Sequence, residues 1–136
     1  MKPGISFPEL LEFSKYSDKR GDLISLEGNV NIPFDIKRVY YIYNCDESPR
    51  GFHAHKNLTQ LLICVSGHCE IILDDGETKV VVNLDNPNKG LVIESPIWRE
   101  IRNFSENCVL LVLANDVYKE SDYIRNYEDF IALVKS

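Results

Sequence analysis

The sequence predicts an all-β fold, a single barrel or sandwich of short strands with one short C-terminal helix. Three observations predict it. Runs rich in Val, Ile, Leu and Tyr recur at short, even intervals through the middle of the chain. Turn chemistry separates them, at Ser66-Gly67, Asp74-Asp75-Gly76 and the longer Asp85-Asn86-Pro87-Asn88-Lys89-Gly90. After Asn115-Asp116 the alternation stops and aromatic residues take up near-helical spacing.

Taken in order, Phe7–Ser14 reads as a short helix or an irregular lead-in. Strands are expected over Asp22–Glu27, Ile36–Tyr43, Gln60–Ser66, His68–Leu73, Lys79–Leu84, Leu91–Ile93, Trp98–Asn103 and Val109–Ala114. Gly76 closes one hairpin by supplying a positive φ at low steric cost. Within Asp122–Ile131, residues Tyr123, Tyr127, Phe130 and Ile131 share one face of an expected helix, packed across the barrel or a partner subunit. No linker, charge block or repeat interrupts the 136 residues, so one domain spans 1–136.

Composition narrows the function. Hydrophobic residues make up 44% and charged residues 26%, which is ordinary for a globular protein. A net charge of -6 gives no basic field, which argues against a nucleic-acid partner. A small anionic ligand stays open, because a few converging arginines suffice for one. Cys45, Cys64, Cys69 and Cys108 form no CxxC pair, and two of them sit in apolar runs; they read as reduced thiols of a cytoplasmic protein. The N-terminus lacks a signal-peptide core, and the apolar runs fall short of the ~20 residues a membrane span needs.

All three histidines fall between positions 53 and 68. On a strand, His53 and His55 project to one face. Such a pair can bind a metal, move protons, or sit at a surface. His68 follows a turn and reads as exposed.

Gly51-Phe52-His53-Ala54-His55 followed by Gln60–Gly67 resembles the first signature of the cupin superfamily, and Pro96–Asn103 resembles the second. The resemblance implies a small barrel or jelly roll, in agreement with the strand spacing. Metal-binding cupins use three His and one Glu. Here the Glu position falls on Thr59 or Gln60 and the last His position holds Arg99, a cation that would repel a metal ion. No metal and no cofactor are therefore expected.

A narrower match covers nearly the whole chain. Ile32–Ile42, Arg50–Lys56, Trp98-Arg99-Glu100 and Asp122–Tyr127 together resemble the dTDP-sugar 3,4-ketoisomerases, metal-free cupins of bacterial deoxyamino-sugar biosynthesis. This implies conversion of dTDP-4-oxo-6-deoxy-glucose to a dTDP-3-oxo-6-deoxy-hexose through an enediol, for use by an aminotransferase in glycan assembly such as O-antigen or S-layer synthesis. The reaction needs a base poised near neutrality and a group that stabilises the enediolate. His53 is assigned as the principal base, with His55 relaying a proton or positioning the sugar. Which of the two acts at C3 stays open. The resemblance favours Tyr40 over its neighbour Tyr41 as the phenol beside the sugar. Arg38, Arg50, Lys56, Arg99 and Arg102 are candidates for the substrate's diphosphate, whose oxygens match arginine forks. Product configuration at C4 is also open, and the epimer formed by Arg99→His would test whether Arg99 governs it. Alternatives are a dTDP-sugar 3,5-epimerase, a non-catalytic nucleotide-sugar-binding cupin, and a metal oxygenase. A homodimer is expected, since long apolar strands leave edges to cover.

Overall fold

Short alternating strands must bury one face each, and here they do so as two apposed antiparallel sheets. A computed structural model describes residues 8–136; Phe7, the first residue of the expected lead-in, lies outside the described residues. In chain order the elements are β1 (Glu9–Glu12), β2 (Tyr16–Asp18), β3 (Gly21–Leu23), β4 (Arg38–Ile42), β5 (Arg50–His55), β6 (Gln60–Ser66), β7 (Cys69–Asp74), β8 (Lys79–Leu84), β9 (Lys89–Ile93), β10 (Trp98–Arg102), β11 (Val109–Ala114), β12 (Tyr123–Ile124) and α1 (Tyr127–Lys135). One sheet runs β1-β9-β6-β11-β4 and the other β12-β5-β10-β7-β8; β2 and β3 form a separate hairpin.

Inward-facing residues such as Leu62, Ile71, Leu91 and Leu110 form the core between the sheets. Each sheet also has an outer apolar layer. Phe13, Ile32 and Phe34 pack on Leu61 and Ile63 outside the first sheet, while Phe130 and Ile124 pack on Trp98 and Ala54 outside the second. This is why β6 and β7 are buried almost end to end instead of alternating. Phe130, fully buried beneath α1, contributes about 1.5–3 kcal/mol by leaving water.

The expected strands over 60–66, 79–84 and 109–114 fall where the sequence put them. Gly76 has φ +100 in the β7–β8 turn, where its N–H donates to Asp74 Oδ1. Four expectations need correction. The lead-in is strand β1, paired with β9, because Leu11 and Phe13 alternate into the outer layer. The strand expected over 22–27 stops at Leu23. Beyond it the Asn31 side chain takes the backbone partners, accepting from Glu27 N and donating to Ser25 O. β5 and the β2 strand were absent from the expected set. The helix starts at Tyr127, not at residue 122. Tyr123 and Ile124 pair with His55 and Ala54 instead, and the Asn126 side chain caps α1 by accepting from Asp129 N.

Candidate active site

The same inward parity that builds the core places polar residues at one end of the space between the sheets. Along β6, Leu62 and Cys64 face the core, and two residues earlier the inward position is Gln60. On β10, Ile101 faces inward and so does Arg99. On β4 the inward positions are Arg38, Tyr40 and Ile42. His53 and His55 supply the same face of β5.

A bulge re-aims β5. Arg99 pairs with His53 while Glu100 pairs with Gly51, which leaves Phe52 unpaired at φ 57 and exposed. Gly51 sits at φ +90, and a Cβ there would meet the Arg99 carbonyl at 3.0 Å. The glycine is therefore required for the approach of β5 to β10 that sets His53 over Arg99.

The imidazoles meet edge to face, with ring centroids 5.0 Å apart. Tyr123 closes over both, 5.0 Å from His53 and 4.4 Å from His55. His53 Nδ1 is 3.1 Å from the Gly51 carbonyl, so Nδ1 carries the proton and donates. His55 Nδ1 donates in the same way to Asp122 Oδ2 at 3.1 Å, and Asp122 Oδ1 accepts from Asn57 N. In both rings Nε2 is left with its lone pair. His55 is 1% exposed, and its Nε2 has no partner among the described residues.

Burial, reinforced by the Arg99 charge, pulls His53 from 6.5 to about 4 and His55 to about 2. Both rings are neutral at physiological pH, and burial leaves them weaker bases than the near-neutral group the reaction was expected to need. Arg99 is 3% exposed, and burial pulls it down to about 10, so it keeps its charge. It donates through Nη1 to Gln60 Oε1, and Gln60 Nε2 in turn donates to the Tyr40 hydroxyl at 3.2 Å. Arg38 lies 4.6 Å over the Tyr40 ring. A pocket of about 200 Å³ beside the cluster is lined by Arg38, His55, Lys56, Asp122 and Tyr123.

The structure thus brings His53, His55, Tyr40, Arg38 and Arg99 together, with Lys56 at the rim. It does not bring Arg50 or Arg102 to them. Arg50 is exposed at the far end of β5, near Cys45 and Asp46. Arg102 faces outward and pairs with Glu70 at 3.0 Å. Gln60 belongs to the cluster, but the sequence placed it only at a lost metal-ligand position. Asp122 and Tyr123 were legible as part of an expected helix and of the segment Asp122–Tyr127 that carries the ketoisomerase resemblance, but with no site role assigned. Asp122 is 67 residues from His55, and no local pattern joins them. A cupin metal does not fit this donor set, because Gln60 Oε1 is occupied by a guanidinium standing where a ligand would be.

Two apposed sheets around a histidine–tyrosine–arginine cluster define a cupin-type barrel whose interior can exchange protons and hold a developing oxyanion. A family profile, FdtA: WxcM-like, C-terminal, matches residues 7–135. The chain belongs to that family. It is 50% identical over 123 residues, 90% of this chain and 88% of its relative, to the TDP-4-oxo-6-deoxy-alpha-D-glucose-3,4-oxoisomerase of Aneurinibacillus thermoaerophilus. The crystal structure of a 3,4-ketoisomerase from Helicobacter canadensis superposes with TM-score 0.92 at 49% identity, covering 95% of this chain and 98% of that one. A mutant 3,4-ketoisomerase from Thermoanaerobacterium thermosaccharolyticum, in complex with TDP-4-keto-6-deoxyglucose, superposes with TM-score 0.91 at 46% identity over 94% of each chain.

Proposed function

We propose that this protein is a sugar 3,4-ketoisomerase that converts dTDP-4-oxo-6-deoxy-glucose to a dTDP-3-oxo-6-deoxy-hexose. The observation that carries the reading is the pair of neutral imidazoles with free Nε2 atoms beside a buried guanidinium. The family and its ketoisomerase members support the substrate class.

In this reading His53 Nε2 takes the proton from C3. The electron pair moves into the ring and the C4 carbonyl becomes an enediolate oxygen. Arg99 supplies the fixed positive charge that this oxygen needs, in a site where burial strengthens it. The Tyr40 hydroxyl, tied to Arg99 through Gln60, exchanges protons with the sugar oxygens. As O3 loses its proton and becomes the carbonyl, C4 gains one, relayed through His55. Asp122 holds the His55 tautomer that leaves Nε2 as acceptor. Arg38 and Lys56 take the diphosphate. Arg50 and Arg102 enter only as charges outside the cluster.

We also place the whole chain in one catalytic domain that works as a homodimer in the cytoplasm, in deoxyamino-sugar assembly for a surface glycan. Val39 and Tyr41 on β4, Tyr43 just after it and Val65 on β6 are exposed apolar side chains of the first sheet, which supports the dimer. The cysteines are free thiols, as suits a reducing compartment. No helix among the described residues is long and apolar enough to cross a membrane.

The test is incubation with dTDP-4-oxo-6-deoxy-glucose and a chelator, followed by NMR. The carbonyl is expected at C3, with the C4 couplings reporting the epimer. A carbonyl still at C4, with exchange at both C3 and C5, would make the protein a 3,5-epimerase. A bound but unchanged nucleotide sugar would make it a binding module.

A further inference from the structure

All four cysteines gather at the pole of the barrel opposite the histidines. Gln60 and Cys64 stand four residues apart on β6, about 13 Å at 3.3 Å per residue. Cys69 opens β7 and Cys108 immediately precedes β11, and each of these three cysteines is 1% exposed. Their Sγ atoms all lie within 4.8 Å of one another, and Cys64 and Cys108 are 3.6 Å apart. Cys45, half-buried in the loop after β4, lies close enough for its charge to interact with those of Cys64 and Cys108.

Core filling asks for volume and is met equally well by Ala or Val. It does not ask that three sulfurs from separate segments of the chain lie within 4.8 Å of one another. Metal ligation does. A tetrahedral zinc–thiolate site has Zn–S near 2.3 Å, which sets neighbouring sulfurs roughly 3.8 Å apart, inside the range observed here. Charge selects among soft ions. Three thiolates around a divalent ion leave one uncompensated charge in an apolar core, whereas a monovalent ion leaves two.

We propose that Cys64, Cys69 and Cys108 form a three-thiolate binding site for a thiophilic divalent cation of the zinc type, with Cys45 outside the ligand set on the approach to it. Each ligand exchanges its S–H bond for a sulfur–metal bond and releases a proton, and no electrons are transferred. The site is separate from the histidine pole and serves the barrel's stability.

The test is a titration of the fully reduced, metal-free chain with Cd2+, followed by thiolate-to-cadmium charge-transfer absorption and by proton release. The expected result is saturation at one ion per chain, displacement by Zn2+, and a rise in Tm of the unmodified protein when Zn2+ is added. Cys64→Ser is expected to weaken binding by more than the roughly 10–100-fold that loss of a supporting residue costs. Cys45→Ser is expected to weaken it less. Absorption that climbs without a one-to-one endpoint, or a Tm that Zn2+ leaves unchanged or lowers, would overturn the proposal. Since the Tm arm needs no variant, a misfolded Cys64→Ser would not obscure the answer.

Discussion

The two ends of the barrel interior share strands and inward parity, yet they hold opposite chemistry. At one end β6, β7 and β10 present Leu62, Ile71 and Ile101, closely packed. At the other end, β4, β5, β6 and β10 present Tyr40, His53, His55, Gln60 and Arg99. That end carries two histidines held far from their ordinary protonation, and the buried His55 Nε2 and Arg99 Nε without partners. The contrast teaches that one end holds the sheets together while the other gives up stability to bury a guanidinium beside two neutral imidazoles.

The comparison breaks most sharply at Arg99. Arg99→Met is expected to lower kcat by roughly 10²–10³, the usual cost of losing an oxyanion donor. Thermal stability should change little, because removing a desolvated charge offsets the stranding of the buried Gln60 Oε1 acceptor. Circular dichroism melts alongside steady-state kinetics check both halves, and a large loss of Tm would make Arg99 a structural residue. The mirror-image change is Ile71→Ala at the packed end. It should cost about 2–5 kcal/mol of stability and leave kcat per folded molecule unchanged in denaturant titrations and active-site-normalised assays.

Asp122→Asn is expected to be milder, about a tenfold loss of kcat with KM nearly constant. The amide can still meet Nδ1 but no longer selects its tautomer. A pH–rate profile that shifts with this substitution would separate tautomer control from simple packing. The smallest effect is on acid stability. Unfolded histidines protonate below 6.5, whereas folded His53 resists to about 4 and folded His55 to about 2. Between pH 4 and 6.5 the unfolded chain binds more protons, so stability rises with pH through that window and levels off above it. Tm should fall between pH 7 and 5, and His55→Asn should flatten that slope.

The sequence made the packed end legible and only part of the reactive end. Strands with a clear apolar parity, such as β8 and β11, could be bounded to the residue. β1 and the short pairing of Tyr123 and Ile124 could not, since their partners β9 and β5 are distant in sequence and four- or two-residue strands carry little periodicity. His53 and His55 were visible because the motif is local. Asp122 was not, because a contact across 67 residues leaves no trace in spacing. The convergence of four scattered cysteines was hidden for the same reason. Arg50 and Arg102 looked like binding residues because charge type can be read from sequence, but the end of the strand and the face it occupies cannot.

The central claim is that His53 removes the C3 proton. It is tested most directly by NMR of dTDP-4-oxo-6-deoxy-glucose in D2O with wild-type protein and with His53→Asn, both shown to bind the nucleotide sugar. Wild type should lose the C3 proton signal as the carbonyl migrates, and His53→Asn should bind the sugar yet leave that proton in place. Exchange at C3 by His53→Asn at the wild-type rate would contradict the account and assign the base elsewhere in the cluster.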